Sequence, residues 1–286
     1  MKTKLISFMV LMMIIITSMG FTNKANDKNT ILIQAADSKI SSITLSESAD
    51  IITARLKEFS TDKFTVTVIP DKNQIQVAGI NARDITIVES LMTRKGRIEF
   101  YRAYNQVELS GVLKDDHQLF SILNTFDLKN SESKVGCTSF SRVDMVNQFI
   151  NLKEPMKSCR FVWSDFSDST NVCLYGLKME PDKGALLTGN DLESVSYKQG
   201  KASKYWSIEF SFKKPVVKLW SDITKQNINH AMAIVINDQV ICTPVIRSVI
   251  ESGKCSITGN FTENDVKLFK AFGKHGELPA VFKVVR

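Results

Sequence analysis

The sequence predicts an α+β fold: two ferredoxin-like split βαβ units forming a base, with a less regular head subdomain inserted between them. Three observations lead there. Residues 44–104 run helix, hairpin, helix, strand in their hydrophobic periodicity. Residues 205–286 repeat that order, and residues 105–184 between them show scattered aromatics and no sustained period. With 43% hydrophobic and 23% charged residues, the 286-residue chain can bury a core rather than stay disordered.

The first unit begins at Ile31–Ile33, a short apolar run suited to a strand. Ala49, Ile52, Leu56 and Phe59 recur at helical spacing behind Ser46, an N-cap candidate. Phe64, Val66 and Val68 then alternate, as do Ile75 and Val77, with Pro70–Asn73 as the turn between them. Asn81 caps a second helix that buries Ile85, Val88, Leu91 and Met92. Gly96 releases the chain into a strand at Arg97–Arg102.

The second unit starts with the alternating strand Trp206–Phe212. Pro215 sits where a helix start tolerates a missing N–H, and Val216, Trp220 and Ile223 line one helical face. Ala231–Ile236 and Val240–Cys242 flank Asn237-Asp238, a hairpin turn. Thr262–Asp265 is a capping-box pattern, Val266, Phe269 and Phe272 follow at helical spacing, and Gly273 supplies an end. Val281–Val285 closes the unit as a strand.

Lys2 and Lys4 precede an apolar run from Leu5 to Ile16 and then small residues to Gly20. Residues 1–20 thus read as a signal peptide, either cleaved or kept as an anchor. Residues 21–43 read as a linker and first strand, 44–104 and 185–286 as the two halves of the base, and 105–184 as the head. The expected location is extracytoplasmic (the periplasm), soluble or tethered to the inner membrane by that N-terminus. Tyr104 and Gly184 mark the two crossings between base and head, where hinges are expected. In the head, Trp163 and Phe166 stand among polar residues, which suits partial exposure and contact with a polypeptide, with a buried β-edge as the rival reading. Export permits disulfides, but five cysteines are an odd set. Cys137, Cys159 and Cys173 read as buried small residues, with a disulfide among them as the other reading. Cys242 and Cys255, thirteen residues apart with Pro244 and Gly253 between, are a candidate pair, with two free buried thiols as the other reading.

Several function classes fall away. Lys and Arg exceed Asp and Glu by 37 to 30, a mild excess with no basic stripe interleaved with aromatics, so nucleic acid is not an expected partner. Three dispersed histidines and no Cys-x-x-Cys give no metal site, and no nucleotide or hydrolase motif is present, so neither cofactor nor enzymatic activity is expected. Thr188-Gly-Asn190 and Thr258-Gly-Asn260 read as capped turns rather than phosphate nests.

Leu186–Leu192, Ala233–Ile246, Gly253 with Ile257–Thr262, and His275–Pro279 resemble, in order and spacing, the first large periplasmic domain of SecD, a subunit of the bacterial SecDF protein-export complex. Ile51–Phe59 and Ile98–Phe100 are similar to the first half of that domain. The family's Gly-rich segment has no counterpart, Ala78-Gly79 stands in place of its Pro-Gly, and the membrane helices of its proton coupling are not in this sequence. The resemblance implies a base-plus-head module that binds polypeptide or an envelope protein, with Sec translocon components as expected partners. The membrane would be met only through the N-terminal anchor. The competing expectation is a structural or sensory envelope domain that keeps the base without an export role.

Overall fold

The computed structural model describes residues 28–60, 63–113, 118–124, 133–153, 159–164, 170–200 and 205–285. The signal or anchor expected at 1–20 lies outside them. No helix among the described residues is long and apolar enough to cross a membrane.

The first elements follow the sequence closely. They are β1 (Lys28–Ala35), α1 (Ser42–Phe59), β2 (Thr65–Ile69), β3 (Gln74–Asn81), α2 (Ile85–Thr93) and β4 (Ile98–Ala103). Ser41, not Ser46, caps α1 by accepting from the Thr44 N–H, so the helix gains a turn and buries Leu45, Ala49, Ile52 and Leu56. Asn73 at φ 52° closes the β2–β3 hairpin. The middle holds α3 (Gln106–Val112), α4 (Gln118–Ile122), β5 (Lys134–Ser139), α5 (Val143–Leu152), β6 (Arg160–Ser164) and β7 (Asn171–Lys178). After it come β8 (Leu187–Thr188), β9 (Leu192–Gln199), β10 (Trp206–Phe212), α6 (Lys214–Gln226), β11 (Ala231–Ile236), β12 (Gln239–Cys242), β13 (Lys254–Gly259), α7 (Glu263–His275) and β14 (Phe282–Val284). Asn237 and Asp238 both have positive φ, 51° and 63°, as a two-residue type I′ turn requires. Thr262 and Asp265 form the capping box of α7, which runs past Gly273 to end at Gly276.

The pairing of these strands departs from two self-contained units. The first sheet runs β14-β1-β3-β2, so its fourth strand comes from the end of the chain and not from β4. A second sheet runs β13-β10-β9. β4 pairs instead with β11, from Ala103↔Ala231 to Ile98↔Ile236. The reason lies in its burial. Ile98 and Phe100 enter one core while Tyr101 and Ala103 enter another, and a strand buried on both faces must be covered on both. β14 buries only Phe282 deeply, which suits an edge.

The remaining strands close a small barrel. β11 pairs with β12, β12 with β6, β6 with β7, and β7 returns to β4 through Ala103↔Leu177. Alternation along each strand sends Tyr101, Ala103, Val162, Tyr175, Leu177 and Val235 inward. Outside it, Phe100 and Ile234 face the core shared with α1, α2, α6 and α7. Trp163, Val172 and Leu174 face a second core under α3, α4 and α5. Arg160 and Glu99 pair at 2.9 Å near the start of β6, and Arg160 also reaches Asp238 in the β11–β12 turn at 2.5 Å.

Two expectations are corrected here. Residues 105–184 were expected as an insert, but β6 and β7 are staves of a barrel completed by β4, β11 and β12. The crossings expected as hinges each make a backbone bond. The Tyr104 N–H donates to the Gly176 carbonyl at 2.9 Å, and Gly184, at φ 73°, is tied into a turn by its N–H to the Glu180 carbonyl. The disulfide is Cys137–Cys173, joining β5 to β7, while Cys242 and Cys255 are free thiols. Cys137 exchanges its backbone bonds with Asn124, so it faces Cys173 as a non-hydrogen-bonded pair, the spacing at which strands approach closest.

α1 and α7 are clamped by charge. The Glu58 carboxylate, 13% exposed, meets Lys270 at 2.5 Å and Lys274 at 2.6 Å. Burial alone would raise its pKa, but the two lysine bonds outweigh it and hold the group at about 2. A folded pKa below the ordinary 4.5 means the clamp stabilises fully above about pH 4.5 and fades as pH falls toward 2. Glu58→Gln is therefore expected to lower the melting temperature at pH 6 and to match the wild type near pH 2. A difference that persists unchanged at pH 2 would remove the clamp from the account.

Candidate functional site

The strand β13 pairs with β10 on one side, from Ser211↔Lys254 to Trp206↔Gly259. Among the described strands none pairs with its other edge. The Phe212 N–H donates to the Gly253 carbonyl, which sets the odd-numbered residues of β13 as the ones bonded to β10. Ser256 and Thr258 therefore turn their N–H and C=O groups outward.

Those groups open into a groove of about 590 Å³. Residues Ser256–Asn260 form one wall, Ile241, Cys242 and Pro244 the opposite wall, and Leu268, Phe269 and Phe272 of α7 the floor. Five strand residues span about 17 Å, long enough for a short extended segment. Phe261 and Phe269 stack edge to face at 5.8 Å and hold the floor rigid. Asp265 and Arg94 stand at the rim. A second cavity of about 450 Å³ lies between α6 and the β7–β8 connection, but charged groups of both signs line it, among them Arg102, Lys178, Glu180 and Asp222. An apolar floor of Leu268, Phe269 and Phe272 beside an open strand edge makes the β13 groove the better binding site.

The candidates named from sequence fall elsewhere. Trp163 is 7% exposed, sits in the core beside α5, and donates its indole N–H to Asn147 at 2.9 Å. The expectation of an exposed contact fails because β6 turns this side chain inward. Phe166 lies outside the described residues. Cys242 lines the groove and Cys255 sits on β13, and the two are free thiols rather than the bridged pair that was one sequence reading. Burial pushes both thiols up to about 12, and for Cys242 the neighbouring Cys255 adds to it. At pH 8 both should resist iodoacetamide in the native protein and react on denaturation; rapid native labelling of either would contradict this burial. Of the two Thr-Gly-Asn turns, Thr188 caps a short turn with Asp191, whereas Thr258–Asn260 ends β13 and belongs to the groove wall. Sequence reading missed the groove, although the alternation Cys255-Ser-Ile-Thr258 was visible as a strand.

The family described as SecDF, P1 head subdomain, matches residues 175–280. The chain resembles the periplasmic P1 domain of SecD. The protein translocase subunit SecD of Calditerrivibrio nitroreducens is 24% identical over 244 residues, covering 81% of this chain and 41% of that one. That of Endomicrobium trichonymphae is 33% identical over 123 residues, covering 43% of this chain and 25% of that one. This chain thus spans less than half the length of these SecD relatives. A crystal structure of SecDF in a super-membrane-facing form superposes with a TM-score of 0.57 at 16% identity, over 90% of this chain and 29% of that one. A second SecDF structure, described as a membrane component that enhances protein export, gives 0.53 at 16% identity and is covered over 98% of its chain. These superpositions carry the mixed α+β fold. The P1 head match overlaps the segment read from sequence as the head only at 175–184 and otherwise falls on the predicted second half of the base. It includes β13 and the whole groove wall from Ile241 to Phe272.

Proposed function

We propose that this chain is a non-enzymatic, extracytoplasmic module accessory to protein export, and that it holds polypeptide by adding an extended segment to β13. The observation that carries the reading is the open edge of Ser256 and Thr258 beside a groove with an apolar floor. Backbone bonds to the edge would accept any sequence, and the groove would take alternate apolar side chains, a combination suited to diverse unfolded clients. The kinship with SecD supplies the setting, with Sec translocon components as partners. The Cys137–Cys173 bridge fits an oxidising compartment.

The test is fluorescence anisotropy with a labelled, permanently unfolded polypeptide. Ser256→Pro removes one outward N–H and leaves the β10 ladder intact, because Ser256 does not donate to β10. It should weaken binding about tenfold or more, the effect of losing roughly 1.4 kcal/mol, with the melting temperature nearly unchanged. Leu268→Glu should do the same by charging the floor. Unaltered affinity in both variants, with folding intact, would rule out the groove.

A further inference from the structure

A second strand edge lies in a different sheet. In the sheet β14-β1-β3-β2, β2 is terminal, and among the described residues no strand covers its outer side. The Ala35 N–H donates to the Asn73 carbonyl, so Ile75 and Val77 of β3 bond toward β1. The even-numbered residues of β3 then bond toward β2, with the pairs Ile69↔Gln74 and Thr67↔Gln76. It follows that Val66 and Val68 turn their N–H and C=O groups away from the sheet.

Exposed edges are ordinarily blunted by lysine, proline or a bulge. Thr65-Val-Thr-Val-Ile69 has no charge and no proline, and its register with β3 is unbroken. Its pattern is also self-complementary about Thr67. A two-fold axis through Thr67, with the second strand antiparallel, sets Val66 opposite Val68 of the other copy. The outward groups of one strand then meet the outward groups of the other. Beyond the ladder, the same axis brings the Pro70–Lys72 turn of each copy toward Lys63 of the other. That turn carries Asp71, exposed like Lys63, so each end of the pairing brings opposite charges near one another outside the paired strands. Beyond the valines, Phe64 meets Pro70, which lacks an N–H, and the ladder stops there.

From this geometry we propose that β2 is a self-association edge, at which two copies of this chain pair antiparallel about Thr67 and join their four-stranded sheets into one. The partner is a second copy because the charge pattern and the valine register match the segment to itself. The groove at β13 takes no part, so both polypeptide sites stay open in the dimer.

Thr67 on the axis provides a test of register. Its copies form a non-hydrogen-bonded pair, with Cα atoms about 4.5 Å apart, inside the range a disulfide spans. The full chain should show a concentration-dependent monomer–dimer equilibrium in sedimentation. Thr67→Cys should give a reducible covalent dimer under mild oxidation. Thr65→Cys should not, since its copies lie four residues apart along the strands, about 13 Å. Val68→Pro should abolish the dimer and keep the fold, because only an outward N–H is lost. Asp71→Lys should weaken dimerisation about tenfold by setting lysine against lysine, and adding Lys63→Asp should restore it. A full chain that stays monomeric at every concentration, or equal cross-linking through positions 65 and 67, would overturn the proposal. Polypeptide binding at β13 is measured separately and would be unaffected by any of these variants.

Discussion

Gly96→Ala is expected to cost about 3–5 kcal/mol of stability, the range of a broken buried polar network. Gly96 has φ +80°, and a Cβ there would lie 2.2 Å from Nη2 of Arg55 and 2.8 Å from the Phe272 ring. Arg55 is fully buried and has no room to retreat. Its guanidinium donates to the carbonyls of Leu91 (3.1 Å), Arg94 (2.9 Å) and Lys95 (2.6 Å), and also to that of Gly276. It thereby gathers the open C-terminal ends of α2 and α7 against α1, and stacks on Phe272 at 4.8 Å. Burial lowers its pKa to about 9, which still leaves it a cation at neutral pH. Arg55→Met should lose a similar amount by stranding those carbonyls. Urea unfolding of both variants and of the double variant checks the account. The double loss should fall well short of the sum, since both changes break one interaction. Additive losses, or a cost under about 1 kcal/mol for Gly96→Ala, would show that the two residues act separately.

Reducing the Cys137–Cys173 bridge is expected to lower stability by about 3 kcal/mol, or roughly 10 °C in melting temperature. The bridge closes a chain separation of 36 residues and staples β5 to β7 in the barrel. The double variant Cys137→Ser, Cys173→Ser should melt with the reduced wild type. Hydrogen exchange should quicken in β5 and α5 before it quickens in β4 and β11. A reduced protein that melts with the oxidised one would leave the bridge without a stabilising role.

Local patterns were legible wherever neighbouring residues decide the outcome. The Pro70–Asn73 turn, the Asn237-Asp238 turn, the Thr262–Asp265 capping box and the strand Trp206–Phe212 all stand where periodicity and turn chemistry place them. Ser46 failed as the cap of α1 because Ser41 offers the same hydroxyl one turn earlier, and the sequence contains both. In the middle, β5, β6 and β7 were illegible because they are buried on both faces or pinned by a disulfide, and such strands carry little alternation.

By itself, the sequence determined most elements of residues 44–104 and 205–286, their hairpin turns, the α+β class and the SecD-like motifs from Leu186 to Pro279, because each depends on residues a few positions apart. Tertiary structure alone decided which strands meet. β4 leaves its expected sheet for β11, β14 takes its place, and β6 and β7 complete a barrel with strands from the other half of the chain. Pairing partners depend on burying both faces of each strand at once, a condition set by the whole molecule. The site follows from the same condition. β13 keeps an open edge beside its groove because β12 is already paired with β11 and β6. No local pattern in Lys254–Gly259 records that its neighbour is engaged elsewhere.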